Sequence, residues 1–133
     1  MRLAVLVVLL FASGHLRAQE PEKDFSTFCY EFFSDSVVQR KSIKFPLKKV
    51  VWNQEAEKDD TTFVRAKSWT FSDFGFWANQ YNVRLYDSFS KKIRDTDERV
   101  VSFEGVENGI SVGLYFKRIS GKWFLVLWED SSD

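Results

Sequence analysis

The sequence predicts an α+β domain in which N-terminal helices pack on a strongly curved, mainly antiparallel sheet. Phenylalanines near the start recur at helical spacing, whereas the second half consists of strand-like runs separated by turn residues. Helices followed by a long series of strands are typical of the α+β class. The length of 133 residues indicates one domain, which we place at residues 19–133.

Residues 1–18 have the features of a secretory signal peptide. Arg2 precedes an unbroken apolar run over residues 3–12, which is shorter than the roughly 20 residues that a membrane-spanning helix needs. Small residues follow this run, as a cleavage site requires. We predict cleavage after Ala18, with a second candidate site after Gly14. The mature protein is therefore expected to be exported to the periplasm or the extracellular space, soluble and without a membrane span.

Two helical segments are predicted at the start of the domain, at 24–33 and 35–41, or alternatively one helix with a kink. Asp24 is a suitable N-cap, because its side chain can accept from the free N–H groups of a first helical turn. The residues that follow place an apolar group at each position of one helical face: Phe25, Phe28, Cys29, Phe32 and Phe33. Pro46 excludes a helix where it stands and favours an extended chain before it.

Three strands are predicted in the middle of the chain, at 47–52, 62–71 and 81–89. The charged segments 53–61 and 90–98 are expected to be solvated loops rather than binding patches. The ring-rich segment 71–77 contains Gly75 and is interpreted either as a turn over the core or as a short helix.

The last third predicts three further strands, at 99–106, 109–119 and 122–130. If Ser120 and Gly121 form a two-residue hairpin loop, Phe116 pairs with Leu125 and Leu114 pairs with Leu127. One face then carries Val112, Leu114, Phe116, Trp123, Leu125 and Leu127. The other carries Tyr115, Lys117, Phe124, Val126 and Trp128. Because both faces are largely apolar, the sheet must be covered on both sides or curl around its own contents.

Three stretches of the sequence resemble a known family. They are FCYEFFSDSVVQRKSIKFPL (28–47), WTF (69–71) and YFKRISGKWFLVLWEDSS (115–132). The family is an uncharacterised exported group common in Bacteroidetes, which carries a domain-of-unknown-function label. The resemblance implies a cystatin-like cone fold of the nuclear-transport-factor-2-like (SnoaL-like) type, which often has an apolar pocket at its wide end. Val37-Val38-Gln39 departs mildly from the family pattern, in which an aromatic residue often precedes the glutamine. The family has no established activity, so it implies no catalytic residue.

The composition excludes several chemistries. The single histidine, His15, lies within the predicted signal peptide, so no histidine is expected inside the fold as a general base or a metal ligand. Ser–His–Asp and Cys–His mechanisms are excluded with it. Cys29 lies on the apolar helical face, where a buried and unreactive thiol is expected. We predict no metal site and no cofactor, and the formal net charge of zero gives no reason to expect nucleic-acid binding.

An enzyme is the less favoured alternative. Some proteins of the resembled fold are isomerases or dehydratases that use an aspartate with a tyrosine. The candidate groups here are Asp73, Asp87, Glu104, Tyr81, Tyr86 and Tyr115. No motif places a base beside an acceptor, so no catalytic residue is assigned.

Binding without catalysis is the favoured function. Trp69, Trp77, Tyr115 and Trp128 are predicted to line a cone-shaped cavity that takes an apolar or amphipathic small molecule or a protein partner. The competing interpretation is that these rings simply fill the core of a small domain. A third hypothesis is a structural module that forms a homodimer through the open face of its sheet.

Overall fold

Two helices precede six strands in the computed structural model, which describes residues 24–92 and 96–133. The predicted signal peptide at 1–18 lies outside these residues. The elements are α1 (Phe25–Phe32), α2 (Ser36–Lys41), β1 (Ile43–Asn53), β2 (Lys58–Val64), a single 3-10 turn (Ala66–Ser68), β3 (Tyr81–Tyr86), β4 (Glu98–Gly105), β5 (Ser111–Ile119) and β6 (Lys122–Asp130).

The two helices are separate, and each has an aspartate N-cap. The Asp24 side chain accepts from the backbone N–H of Thr27 at 2.8 Å, and the Asp35 side chain accepts from those of Val37 and Val38. Such caps satisfy N–H groups that have no partner within the helix. Because Asp35 caps a new helix three residues after α1 ends, the chain turns here instead of continuing as one kinked helix.

The six strands form one curved sheet in the order β2-β1-β6-β5-β4-β3. All neighbouring strands are antiparallel except β1 and β6, which are parallel. This pairing places the first strand beside the last, although the four other strands lie between them in the sequence. The predicted fold class, α+β with N-terminal helices on a mainly antiparallel sheet, is confirmed.

The second strand was wrongly predicted at both of its ends. The segment 58–61, expected to be a loop, begins β2, and the strand expected over 62–71 ends at Val64. β2 is an edge strand with exposed charged side chains, so its composition resembles that of a loop. The residues beyond the 3-10 turn lie across the helices and the core instead of joining the sheet, as the turn interpretation of 71–77 expected.

The predicted register of the β5–β6 hairpin is correct near its turn and wrong farther away. Phe116 lies opposite Leu125 as predicted, but a bulge follows, so that Leu114 faces Trp128 instead of Leu127. Val126 is the extra residue, and one extra residue moves every later side chain to the other face of the sheet. Leu127 therefore shares the outer face with Tyr115, and Trp128 points towards the helices.

The core lies between α1 and the inner face of β4, β5 and β6. Phenylalanine rings of α1 meet the sheet directly: Phe25 lies 4.9 Å from Trp123 and Phe32 lies 5.2 Å from Phe116, measured between ring centroids. At the end of α1, Phe33 stacks on Phe76 at 4.4 Å. The segment after the 3-10 turn therefore covers the part of the sheet that α1 does not reach.

The outer face of the sheet is covered in part by the residues that follow β3. Phe89 packs against the Tyr115 ring at 5.3 Å between centroids. Val100, which lies opposite Tyr115 on the same face, is fully buried. The strand expected over 81–89 therefore ends at Tyr86, and Phe89 beyond it belongs to an apolar layer on this side.

Candidate functional site

Gln39 joins α2 to the segment that covers the core. Its side chain is fully buried and uses all of its hydrogen-bonding capacity. The Nε2 group donates to the carbonyl oxygens of Phe32 at 3.1 Å and Ser72 at 2.7 Å. The Oε1 atom accepts from Trp69 Nε1 at 3.1 Å and from the Ser72 backbone N–H at 3.2 Å. A single glutamine therefore fixes both the backbone of the segment and the plane of the Trp69 ring.

Trp69 and Trp128 lie together on the inner side of the sheet. Their centroids are 6.1 Å apart, and Phe74 lies 5.2 Å from Trp128. The Lys49 Nζ atom stands 3.8 Å from the centre of the Trp128 ring, a cation–π geometry. Within the part of the chain that the structure describes, the Trp128 Nε1 atom is buried without a hydrogen-bond partner. The two tryptophans contact other rings on this side, and the bulge at Val126 is what brings Trp128 there.

A shallow groove opens at the surface beside Trp69. It has a volume of about 350 Å³ and is lined by Ser36, Val37, Arg40, Lys41, Trp69 and Phe71. The four α2 residues stand at positions i, i+1, i+4 and i+5, which form one helical face. Val37 is 60 % exposed and Phe71 is 41 % exposed, so the groove has an apolar surface open to solvent.

The groove is positively charged. Arg40 and Lys41 form the last turn of α2, and no carboxylate belongs to the lining. Across residues 24–92 and 96–133, neither cation has an ion-pair partner. The nearby Asp35 carboxylate is engaged in capping α2.

Trp77 lies on a different part of the helical layer. Its Nε1 atom donates to the Phe33 carbonyl at 2.9 Å, and its ring lies 5.4 Å from that of Tyr30. Trp77 and Tyr30 are 48 % and 58 % exposed. These rings pack against each other at the surface, but neither belongs to the groove lining.

Tyr115 lies on the opposite, outer face of the sheet. Its ring crosses Gly113, where an added Cβ would stand 2.9 Å from Tyr115 Cε2. Its hydroxyl donates to Glu129 Oε1 at 3.3 Å. Burial raises the pKa of Tyr115, and the charge of Glu129 and the hydrogen bond to it raise that pKa further. Tyr115 therefore stays neutral as a hydrogen-bond donor and lies apart from the three tryptophans.

The candidate carboxylates and phenols are dispersed. Asp73 accepts from the Gly75 N–H at 2.9 Å, and Asp87 lies 3.8 Å from the Arg99 guanidinium. Tyr86 and Glu104 lie on neighbouring strands at different register positions. The Tyr81 ring packs over Gly75. None of these side chains is hydrogen-bonded to another one of them.

The described residues contain no group of three or more side chains suited to hold a metal ion. Among them there is also no helix long and apolar enough to cross a membrane.

Sequence reasoning identified Trp69 but missed the other groove residues and Gln39. The available signal was the i, i+1, i+4, i+5 spacing on α2, with Val37 and the two cations on one face. A helix of six residues is too short for that periodicity to stand out.

Comparison with known proteins identifies the fold. No protein-family model matches the sequence, and neither does any curated protein. A nuclear-transport-factor-2-like protein from Bacteroides fragilis is similar in structure, with a TM-score of 0.63 and 24% identity over 86% of this chain. This chain spans 50% of the length of that protein.

Two further solved structures have the same architecture. A cystatin-like protein from Bacteroides caccae has a TM-score of 0.53 and 19% identity, over 83% of this chain and 77% of its own. A protein from Bacteroides uniformis has a TM-score of 0.51 and 19% identity, over 83% of this chain and 78% of its own. At these identities the similarity shows the fold alone. The predicted resemblance is thus confirmed for the fold, and this chain adopts the nuclear-transport-factor-2-like, or cystatin-like, cone.

Proposed function

We propose that this domain is a non-catalytic binding module that takes an apolar or amphipathic small molecule in the groove between α2 and Phe71. The observation that carries the proposal is the groove itself, where Val37 and Phe71 are exposed beside Trp69. Large apolar side chains that share one surface depression favour a partner that covers them. The volume of about 350 Å³ is near the lower end of small-molecule sites, which favours one alkyl chain or one small ring system.

The inner rings support a surface site over an internal cavity. Trp69 and Trp128 contact each other and Phe74, so the side of Trp69 that faces the sheet is already occupied. Its position in the groove lining leaves another part of the ring for a ligand. The hydrogen bond to Gln39 holds that ring in one orientation, which reduces the entropy lost on binding.

The dispersed carboxylates support binding without catalysis. Asp73 and Asp87 already interact with Gly75 and Arg99, and neither residue lines the groove. A general base must lie within hydrogen-bonding reach of the proton that it removes. The groove residues offer one hydroxyl, from Ser36, and two cations, which suit recognition more than proton abstraction.

Calorimetric titration with dodecyl maltoside, below the concentration at which it forms micelles, tests this proposal. We expect saturable binding of one molecule per chain. Phe71→Ser should weaken it at least fivefold, because the substitution removes one apolar wall of the groove. Phe63→Ser is the matched control, since Phe63 is 61 % exposed on the outer face, opposite Lys48. Absence of binding, or equal weakening by both substitutions, would contradict the groove as the site.

Export remains part of the proposal, because the predicted signal peptide lies outside the described residues. We propose that the domain acts in the periplasm or outside the cell after cleavage behind Ala18. Sequencing the N-terminus of the protein recovered from its own cells should give Gln19. A mature protein that retains Met1 would overturn this assignment.

A further inference from the structure

The charge of the groove points to a particular ligand class, and this inference rests on the proposed function. The lining contains two cations and no carboxylate. Neither Arg40 nor Lys41 has an ion-pair partner among the described residues. Both side chains are exposed and stand on the same wall as the exposed apolar side chain of Val37.

Helix stability alone does not account for this arrangement. Cations in the last turn of a helix interact favourably with its dipole, and this explains a basic residue at either position. It does not explain why the same helical face carries Val37, nor why Trp69 and Phe71 form the facing wall. Apolar walls with a cationic rim are complementary to a molecule that has an apolar tail and an anionic head.

We propose that the groove selects anionic amphiphiles that carry a single chain, such as a fatty carboxylate. The tail lies against Val37, Trp69 and Phe71, and the head group meets Arg40 and Lys41. The planar guanidinium can bind both oxygens of a carboxylate, while the ammonium contributes a compact charge. The small volume selects one free molecule over the surface of a bilayer.

Three probes with the same dodecyl tail test this selectivity: dodecanoate, dodecyl maltoside and dodecyltrimethylammonium, each titrated as a monomer. Exposed ion pairs are individually weak, so two cations predict that dodecanoate binds about tenfold more tightly than dodecyl maltoside. The cationic probe should bind most weakly. The preference for dodecanoate should shrink at high salt, because salt screens exposed charges.

The double variant R40Q/K41Q should lose the preference for dodecanoate and keep its affinity for dodecyl maltoside. The matched control is K117Q/K122Q, which removes two exposed lysines that do not line the groove and should retain the preference. Equal affinities of the parent protein for dodecanoate and dodecyl maltoside would overturn the inference. So would equal loss of preference in both double variants, since that result would indicate net charge alone.

The failures of the two proposals are distinguishable. If no dodecyl probe binds, both the proposed function and the anionic selectivity are wrong. If dodecyl maltoside binds and the charged head makes no difference, only the selectivity is wrong. Sedimentation with vesicles of phosphatidylglycerol tests whether the cations bind a membrane surface instead of a free molecule. Binding to the vesicles without binding to dodecanoate would show that they do, and it would overturn the proposal.

Discussion

Replacement of Gln39 by leucine should destabilise the domain more than its small change in volume suggests. The substitution removes four hydrogen bonds, to two carbonyl oxygens and from two N–H groups. Each is worth about 1 kcal/mol net, so their combined loss is on the order of 4 kcal/mol. Water can reach part of Ser72 and Trp69, which are only partly buried. We therefore expect a loss of about 3 kcal/mol, a large share of the roughly 5–15 kcal/mol typical of a domain.

Urea unfolding followed by circular dichroism measures this loss as a change in midpoint at constant slope. Gln80→Leu is the matched control: Gln80 is exposed, so the same substitution there should change stability by less than about 0.5 kcal/mol. Gln39→Glu keeps the shape and the acceptor oxygen but loses both amide donors, and it should also destabilise. A loss below about 1 kcal/mol for Gln39→Leu would refute the reasoning, because it would mean that the four partners find equivalent hydrogen bonds elsewhere.

Three further predictions concern the core and the thiol. Leu114→Ala should cost about 2–5 kcal/mol, and Leu127→Ala clearly less, because Leu127 is only partly buried on the outer face; equal losses on urea unfolding would contradict the bulge. Gly75→Ala should lower the thermal midpoint, since φ is +80° and the new Cβ would stand 2.4 Å from Tyr81 Cε2; an unchanged midpoint would contradict this geometry. Burial, with a smaller effect of the Asp24 charge, raises the pKa of Cys29 from 9.0 to about 12. The stability contributed by the neutral thiol is therefore complete below pH 9 and is lost as the pH rises towards 12. The unfolding free energy of Cys29→Ala should fall less than that of the parent protein between pH 9 and pH 12. An identical fall in both proteins would contradict a buried thiol.

The parts predicted correctly from the sequence depend on neighbours in the chain. The phenylalanine spacing of α1 and its aspartate cap act within one or two turns, so the sequence alone was sufficient to identify both. The turn at Ser120 and Gly121 likewise determines the first pairs of the β5–β6 hairpin, including Phe116 with Leu125. Over these distances, hydrogen bonds and side-chain spacing follow directly from residue order.

The bulge at Val126 was not predictable because every residue from Leu125 to Trp128 is apolar, so both faces of the strand look alike in the sequence. Strand alternation indicates a face only where apolar and polar residues differ. The consequence for the site is direct, since Trp128 joins Trp69 on the inner side and Tyr115 remains on the outer side. The four residues predicted to share one cavity wall are thus distributed over three places in the fold.

The groove could not be predicted because its two walls come from different parts of the chain. Val37 and Arg40 stand on α2, while Phe71 lies more than thirty residues later in the sequence, beyond β1 and β2. Three of the hydrogen bonds of Gln39, to Ser72 and Trp69, hold these walls together. The sequence does not distinguish a glutamine whose side chain bonds buried backbone groups from a glutamine that is exposed to water.

The sequence by itself determined which chemistry the domain has available: many aromatic rings, one thiol, and a single histidine, His15, which lies within the predicted signal peptide. It also determined the order of helices and strands, because local periodicity and caps decide each element. Only the tertiary structure decided which rings are exposed and which cations stand beside them. Those properties depend on the parallel pairing of β1 with β6, the contacts of Gln39 and the bulge in β6. The first two join residues that are remote in sequence. The bulge shifts a strand register that the alternation of apolar and polar residues does not determine.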